Sequence, residues 1–221
     1  MANRTIAIGD IHGCAKALNA LLDAIEPEED DTVVTLGDYI DRGPDARGVI
    51  DRLLRLEEQC ILVPLLGNHE VMMMASREDA TQLSFWLQYG GRETLESYGG
   101  MEGSFDEIPE AHFDFIGRCA IYHETDEYIF VHANYAANIP LAKQSEMLLL
   151  WEHLGEDEPR PHCSGKTIIV GHTPQFDGEI QDRGHLIVLD TYCFGDGWLT
   201  AMDVPTRRVW QANMDGKLRE K

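Results

Sequence analysis

The sequence predicts an α/β protein with two β-sheets and helices packed against them. Three observations point there. Short β-rich runs alternate with helix-periodic stretches over roughly the first seventy residues. The second half returns to strands at close spacing. The 43% apolar and 26% charged content is that of an ordinary globular domain.

Residues 5–8 (TIAI) read as a short buried strand. Leu18, Leu21, Leu22 and Ile25 then repeat at helical spacing until Pro27 and an acidic cluster stop the helix. Residues 32–36 form the second strand. Pro44 and Asp45 open a second helix whose apolar face is Val49, Ile50, Leu53 and Leu54. A third strand, 60–66, leads into Gly67-Asn68-His69-Glu70. This β-α-β-α-β order implies right-handed crossovers. A helical insertion is expected over about 72–118. Beyond it, strands are expected at 128–131, 167–170, 186–189, 199–204 and 208–211, forming a second, antiparallel or mixed sheet. Residues 152–166 are polar and proline-containing, so a loop is expected there. No repeat or linker divides the chain, and one domain over 1–221 is expected.

A net charge of −21 repels phosphate backbones and anionic lipid, which argues against nucleic-acid and membrane partners. A phosphate-bearing ligand would need a locally positive site, and a bound cation supplies one. Five scattered cysteines without a Cys-x-x-Cys pair, and no secretory or membrane-spanning pattern, point to the reducing cytoplasm.

The chemistry concentrates at strand ends. Gly9-Asp10, Gly37-Asp38, Gly67-Asn68 and Gly171-His172 each follow an apolar run, residues 128–131 lead into His132, and His12 follows Asp10 at the alternate position. Singly, each is more often a turn or a structural histidine. Jointly, Asp10, His12, Asp38, Asn68, His132 and His172 form a ligand set without cysteine, suited to manganese, iron or zinc. Six donors suit two ions sharing one carboxylate, a geometry used in phosphate-ester hydrolysis. Arg42 offers a planar fork for phosphate oxygens, and Asp41 can orient an imidazole and keep it protonated. His112, His123, His162 and His185 show no such pattern and read as structural.

The stretches Gly9-Asp10-Ile11-His12-Gly13, Gly37 to Gly43 (GDYIDRG) and Gly67-Asn68-His69-Glu70 resemble, in order and spacing, the three signature motifs of the phosphoprotein phosphatase branch of the calcineurin-like metallophosphoesterases. Val131-His132-Ala133 and Val170-Gly171-His172-Thr173-Pro174 resemble the two later motifs, so the likeness covers nearly the whole chain and is closest to small bacterial and phage-type enzymes. It implies a four-layer αββα sandwich with the metals at one edge. Asp10 and His12 would bind the first ion, Asp38 would bridge, and Asn68, His132 and His172 would complete the second, manganese being favoured. An activated water would attack phosphorus in line, His69 would be the general acid paired with Asp41, and Arg42 would bind the phosphoryl group.

Small relatives carry Trp-x-Arg where this chain has Trp151-Glu152-His153, so His153 or Arg160 takes that phosphate contact, or the contact is missing. Asn134 and Tyr192 each replace a usual glycine. The expected substrate is a phosphorylated protein or small phosphoester. Serine/threonine phosphatase activity, extending to dual specificity, is the first reading. Dinucleoside-polyphosphate hydrolysis is the alternative, and a non-catalytic phosphate-binding protein is the third.

Overall fold

A computed structural model describes residues 3–100, 104–155 and 159–220. Two mixed five-stranded sheets pack face to face. In the first, β1 (Thr5–Ile8), β2 (Thr32–Thr35) and β3 (Ile61–Pro64) run parallel, and β9 (Leu199–Asp203) and β10 (Arg208–Ala212) extend it antiparallel on the other side of β1. The second contains β4 (Tyr122–Glu124), β5 (Tyr128–Val131), β6 (Thr167–Val170), β7 (Gln181–Asp182) and β8 (Leu186–Val188), in the order β4-β5-β6-β8-β7. Its central strands β5, β6 and β8 are parallel.

The period of two along each strand divides the core into layers. Ala7, Val34 and Met202 meet Phe130, Ile169 and Ile187 between the sheets. The alternate residues Ile6, Ile8 and Val33 face α1 (Ala15–Ile25) and α2 (Ala46–Leu56). On the outer face of the second sheet, Ile129, Val131, Ile168 and Val170 pack on Leu141 and on Leu149 of the short α7 (Glu146–Trp151). The order is helix, sheet, sheet, helix. Helix α1 buries its expected stripe and ends at Glu26, directly before Pro27. Helix α2 begins where the Asp45 carboxylate accepts from the Gly48 N–H at 2.8 Å.

Three expectations change. The last two strands do not join the second sheet. Strand β9 returns to pair with β1, because Ala7, Met202 and Val204 share the inter-sheet core, and β10 pairs with β9 at the edge. The three-residue β4 and two-residue β7 carry too little pattern to be read from sequence. The third strand stops at Pro64, and the helical region starts earlier than 72, with α3 (Asn68–Glu78), followed by α4 (Ala80–Trp86), α5 (Arg92–Ser97) and α6 (Glu110–Gly117). Residues 101–103 of that region, 156–158 of the expected 152–166 loop, and the ends 1–2 and 221 of the expected 1–221 domain lie outside the described residues. No described helix is long and apolar enough to cross a membrane.

Buried Asp31 fastens the entry to both parallel strands. Its carboxylate accepts from the backbone N–H and the Nε of Arg4, both at 3.1 Å, and from the Glu28 N–H at 2.8 Å. Burial alone would raise its carboxyl, but the Arg4 guanidinium and the N–H donors hold it below the ordinary value. A depressed folded-state pKa adds stability that is present above the unfolded value and lost as pH falls through the folded one. Asp31→Asn should therefore cost about 1.5–3 kcal/mol in urea unfolding at pH 7. The gap to wild type should shrink as pH drops below about 5 and close below the folded pKa.

Candidate active site

The parallel strands β1, β2, β5 and β6 deliver their carboxyl ends to one edge of the sandwich, where ligands of α/β sheets gather. Two hydrogen bonds join the sheets there. The His172 N–H donates to Asp10 Oδ2 at 2.9 Å, and His132 Nδ1 lies 2.7 Å from the Leu36 carbonyl. The backbone is tightly turned. Six of the eight non-glycine residues with positive φ among those described are His12, Asp38, Asp41, Arg42, His172 and Tyr192. Such conformations persist where surroundings over-determine them. Gly37, at φ 98, is required because a Cβ would come within 2.7 Å of the Gly67 nitrogen and 3.0 Å of His132 Nδ1.

Carbonyl groups fix the imidazole tautomers. A carbonyl only accepts, so the ring nitrogen facing it must carry the proton. His12 Nδ1 faces the Ile40 carbonyl at 2.9 Å, His132 Nδ1 faces that of Leu36, and His172 Nε2 faces that of Trp151 at 3.1 Å. The other nitrogen of each ring therefore presents a lone pair. Burial lowers the pKa of all three, that of His172 to about 3, which keeps them neutral. Their lone pairs meet other acceptors. His132 Nε2 is 3.1 Å from Asn68 Oδ1 and 3.5 Å from Asp38 Oδ1, and His12 Nε2 is 3.4 Å from Asp38 Oδ2.

The donor groups His12–Asp38–His69 and Asp38–His132–His172 each bring their ligand atoms within 4.8 Å of one another, with Asp38 common to both. Asp10 stands beside them. Its Oδ1 is buried without a hydrogen-bond partner. Burial, then Asp190 and Asp38, push its carboxyl well up. For Asp38, burial alone would also raise the carboxyl, yet His132, His69, His12 and His172 hold it far below the ordinary range. Neutral imidazoles, a shared carboxylate, an amide oxygen and an orphaned carboxylate oxygen are the donor chemistry of a two-cation site.

His69 differs from the other three. Its Nδ1 is 2.7 Å from Asp41 Oδ2, and although burial opposes, the charges of Asp38 and Asp41 raise its pKa. Asp41 is fully buried and anchored by two residues of the helical insertion. The Trp86 indole donates to Oδ2 at 2.8 Å, and the Thr94 hydroxyl donates to Oδ1 at 2.6 Å. A wide π-type turn, Leu87–Gly91, brings Trp86 and Thr94 onto Asp41, and its Gly90 carbonyl accepts from the Arg42 N–H at 3.4 Å. Gly90, at φ 113, leaves no room for a Cβ, which would lie 2.5 Å from the Arg42 nitrogen. The Arg42 guanidinium reaches His12 Nε2 at 3.0 Å and lies over the Phe194 ring.

Glu70 occupies the first turn of α3 and is fully buried. Its carboxylate accepts from the N–H groups of Asp38 (2.9 Å), Tyr39 (2.8 Å) and Gly67 (3.0 Å). Burial and the Asp38 charge push its carboxyl up to about 8, against those N–H donors. Asn68 and His69 thus sit at a helix start rather than a strand end, and the His69 N–H donates to Asp38 Oδ1 at 3.2 Å.

Asp38, Arg42, Asn68, His69 and His172 floor a cleft of about 710 Å³ rimmed by Phe85, Tyr89, Trp151, Phe176, Tyr192 and Phe194. His153 lines it, stacked on His172 at 4.3 Å. Arg160 is exposed, offers its carbonyl to the Tyr135 hydroxyl, and is not among the lining residues. Sequence reading missed Trp86, Thr94 and Asp190, whose carboxyl burial pushes up to about 7. His112 pairs with Asp51, His162 with Ser164 and His185 with the Pro159 carbonyl, away from the cleft. A second cleft of about 680 Å³ along β10 contains no histidine.

The fold and this donor set define a metallophosphoesterase. The chain belongs to the family described as calcineurin-like phosphoesterase, whose profile matches residues 4–199. It is 32% identical to serine/threonine-protein phosphatase 1 of Salmonella typhimurium over 76% of this chain and 77% of that protein. It is 24% identical to the symmetrical bis(5'-nucleosyl)-tetraphosphatase of Pseudomonas fluorescens over 97% and 96%. Several other symmetrical tetraphosphatases match over less than half of their own length. Among solved structures, a proposed diadenosine tetraphosphatase superposes with a TM-score of 0.71 at 22% identity, covering 96% of this chain and 94% of that one.

Glu70→Gln keeps the side chain's shape but turns an –NH₂ toward N–H groups that need an acceptor. It should destabilise the protein by about 2–3 kcal/mol, read from urea unfolding.

Proposed function

We propose that this chain is a two-metal phosphomonoesterase acting as a serine/threonine-type protein phosphatase with dual specificity, with residues 1–221 as one catalytic unit. The observation that carries hydrolysis is the convergence of proton-free electron pairs from His12, His132, Asn68 and Asp38 beside an imidazole, His69, whose pKa the Asp38 and Asp41 carboxylates raise. Asp10, His12 and Asp38 would hold one cation, and Asp38, Asn68, His132 and His172 the other, with manganese as the proposed ion. When bound, the ions supply Lewis-acid stabilisation of phosphoryl charge and lower the pKa of water.

The protein's own groups do the rest. Arg42 grips phosphoryl oxygens with its planar fork. Asp41 fixes His69 through Nδ1, leaving the proton on Nε2 for the departing ester oxygen. Trp86 and Thr94 keep Asp41 from rotating away. His153 is the proposed further contact to substrate in the Trp-x-Arg position, because it lines the cleft and Arg160 does not. A cytoplasmic setting fits the five free cysteines.

A protein substrate is supported by the relative named serine/threonine-protein phosphatase 1 and by the charge of the cleft, where Arg42 is the one Lys or Arg among the lining residues. That suits a single phosphoryl group better than a tetraphosphate chain. Dinucleoside-tetraphosphate hydrolysis is the second reading, favoured by the tetraphosphatase matching 97% of the chain and by aromatic rings able to stack on bases.

Manganese-loaded protein should turn over a phosphoserine peptide with higher kcat/KM than diadenosine tetraphosphate, and the reverse order would establish the second reading. His69→Asn should lower kcat about 10²–10⁴-fold on phosphoserine but far less on p-nitrophenyl phosphate, whose leaving group needs no proton. Equal losses on both would remove His69 from the acid role. Asp38→Asn should lower bound metal, by elemental analysis, from about two ions per chain. An unchanged stoichiometry would refute the bridge.

A further inference from the structure

Resting on the reading of the cleft as a phosphomonoesterase site, we propose that its rim is a subsite for an aromatic leaving group, with Tyr192 and Phe176 as specificity residues. Aryl phosphomonoesters of the phosphotyrosine type then bind better than alkyl ones.

The rings form a continuous series leading out from the phosphate anchor. Phe194 meets the His12 ring edge-on at 4.9 Å and lies beneath Arg42 at 4.7 Å. Tyr192 follows at 4.7 Å from Phe194, and Phe176 at 4.9 Å from Tyr192, both in edge-to-face geometry. Phe176, at the outer end, is 74% exposed. Across the cleft, Phe85 and Tyr89 pair at 4.7 Å, and each is 46% exposed. Six of the fifteen lining residues are Phe, Tyr or Trp, against 8% of the whole chain. This enrichment is confined to the face that substrate must cross.

Charge and backbone point the same way. Beyond Arg42 the described lining residues include no Lys or Arg, so the outer cleft suits a neutral planar group rather than a second phosphate. Tyr192 is held at φ 63, a backbone that favours glycine, so the ring is kept there against a conformational cost. A ring attached directly to the ester oxygen lies next to Phe194 and Tyr192 and can make edge-to-face contacts. The single methylene of phosphoserine cannot extend to them.

The test is calorimetric titration of manganese-loaded protein with phenylphosphonate and methylphosphonate, which are not hydrolysed. Wild type should bind the phenyl compound about tenfold more tightly. Tyr192→Gly, which relaxes the backbone, and Phe176→Ala, at an exposed position, should each reduce that ratio to about threefold or less. Equal wild-type affinities, or a ratio unchanged in both variants, would overturn the proposal. In parallel, each variant should lower the phosphotyrosine-to-phosphoserine ratio of kcat/KM about threefold or more, since intrinsic ester reactivity cancels between variant and wild type. A parallel fall on both peptides counts against the subsite. If wild type hydrolyses neither peptide, the hydrolytic reading falls, while the phosphonate ratio still decides the subsite.

Discussion

The site depends on one buried carboxylate that makes no contact with the cleft. Glu70 gathers N–H groups from the loop after β2 and from Gly67, the residue before α3. The first two donors lie more than thirty positions from Glu70 in the chain. Asp38 is held at φ 50, and the carboxylate helps offset the cost of that turn together with the Ile11 and His12 N–H groups, which donate to the Asp38 carbonyl. The same bonds fix the start of α3, so Asn68 and His69 leave the helix at set angles. Glu70 thus ties the shared carboxylate, the amide oxygen and the acid imidazole into one rigid unit.

Around that unit, two kinds of histidine are made from one side chain. His12, His132 and His172 donate to carbonyls and are desolvated, so each presents a lone pair. His69 faces a carboxylate instead, which favours its charged form. The difference lies in the partner, carbonyl or carboxylate, and not in burial, since all four are largely removed from solvent. The helical insertion decides which ring receives the carboxylate, because Trp86 and Thr94 hold Asp41 in place from outside the sandwich. The sheets therefore gather the histidines that face carbonyls, and the insertion holds the carboxylate that faces His69.

The residues that converge on the cleft edge were legible because sharp turns at strand ends leave a mark in the sequence: glycine followed by Asp, Asn or His. The core strands were legible because burial alternates with a period of two, as Ile6, Ala7 and Ile8 show. Glu70 was visible as a residue but not as an anchor, since its partners are backbone groups, which no sequence pattern names. Trp86 and Thr94 gave no signal at all. They lie 45 and 53 positions from Asp41 and read as ordinary helix residues. The return of β9 and β10 to the first sheet was hidden for a related reason: a strand's pattern shows that it has a buried face, not which neighbour covers it.

By itself, the sequence determined the family and the alternation of strands and helices, and it singled out the residues proposed here as donors, acid and phosphate anchor, because spacing and residue type are local properties. Only the tertiary structure decided which imidazole nitrogen carries its proton, which oxygen of Asp10 is left without a partner, and how the aromatic residues from four separate segments rim one cleft. Those features depend on distances of a few ångströms between groups far apart in the chain, and packing alone sets such distances.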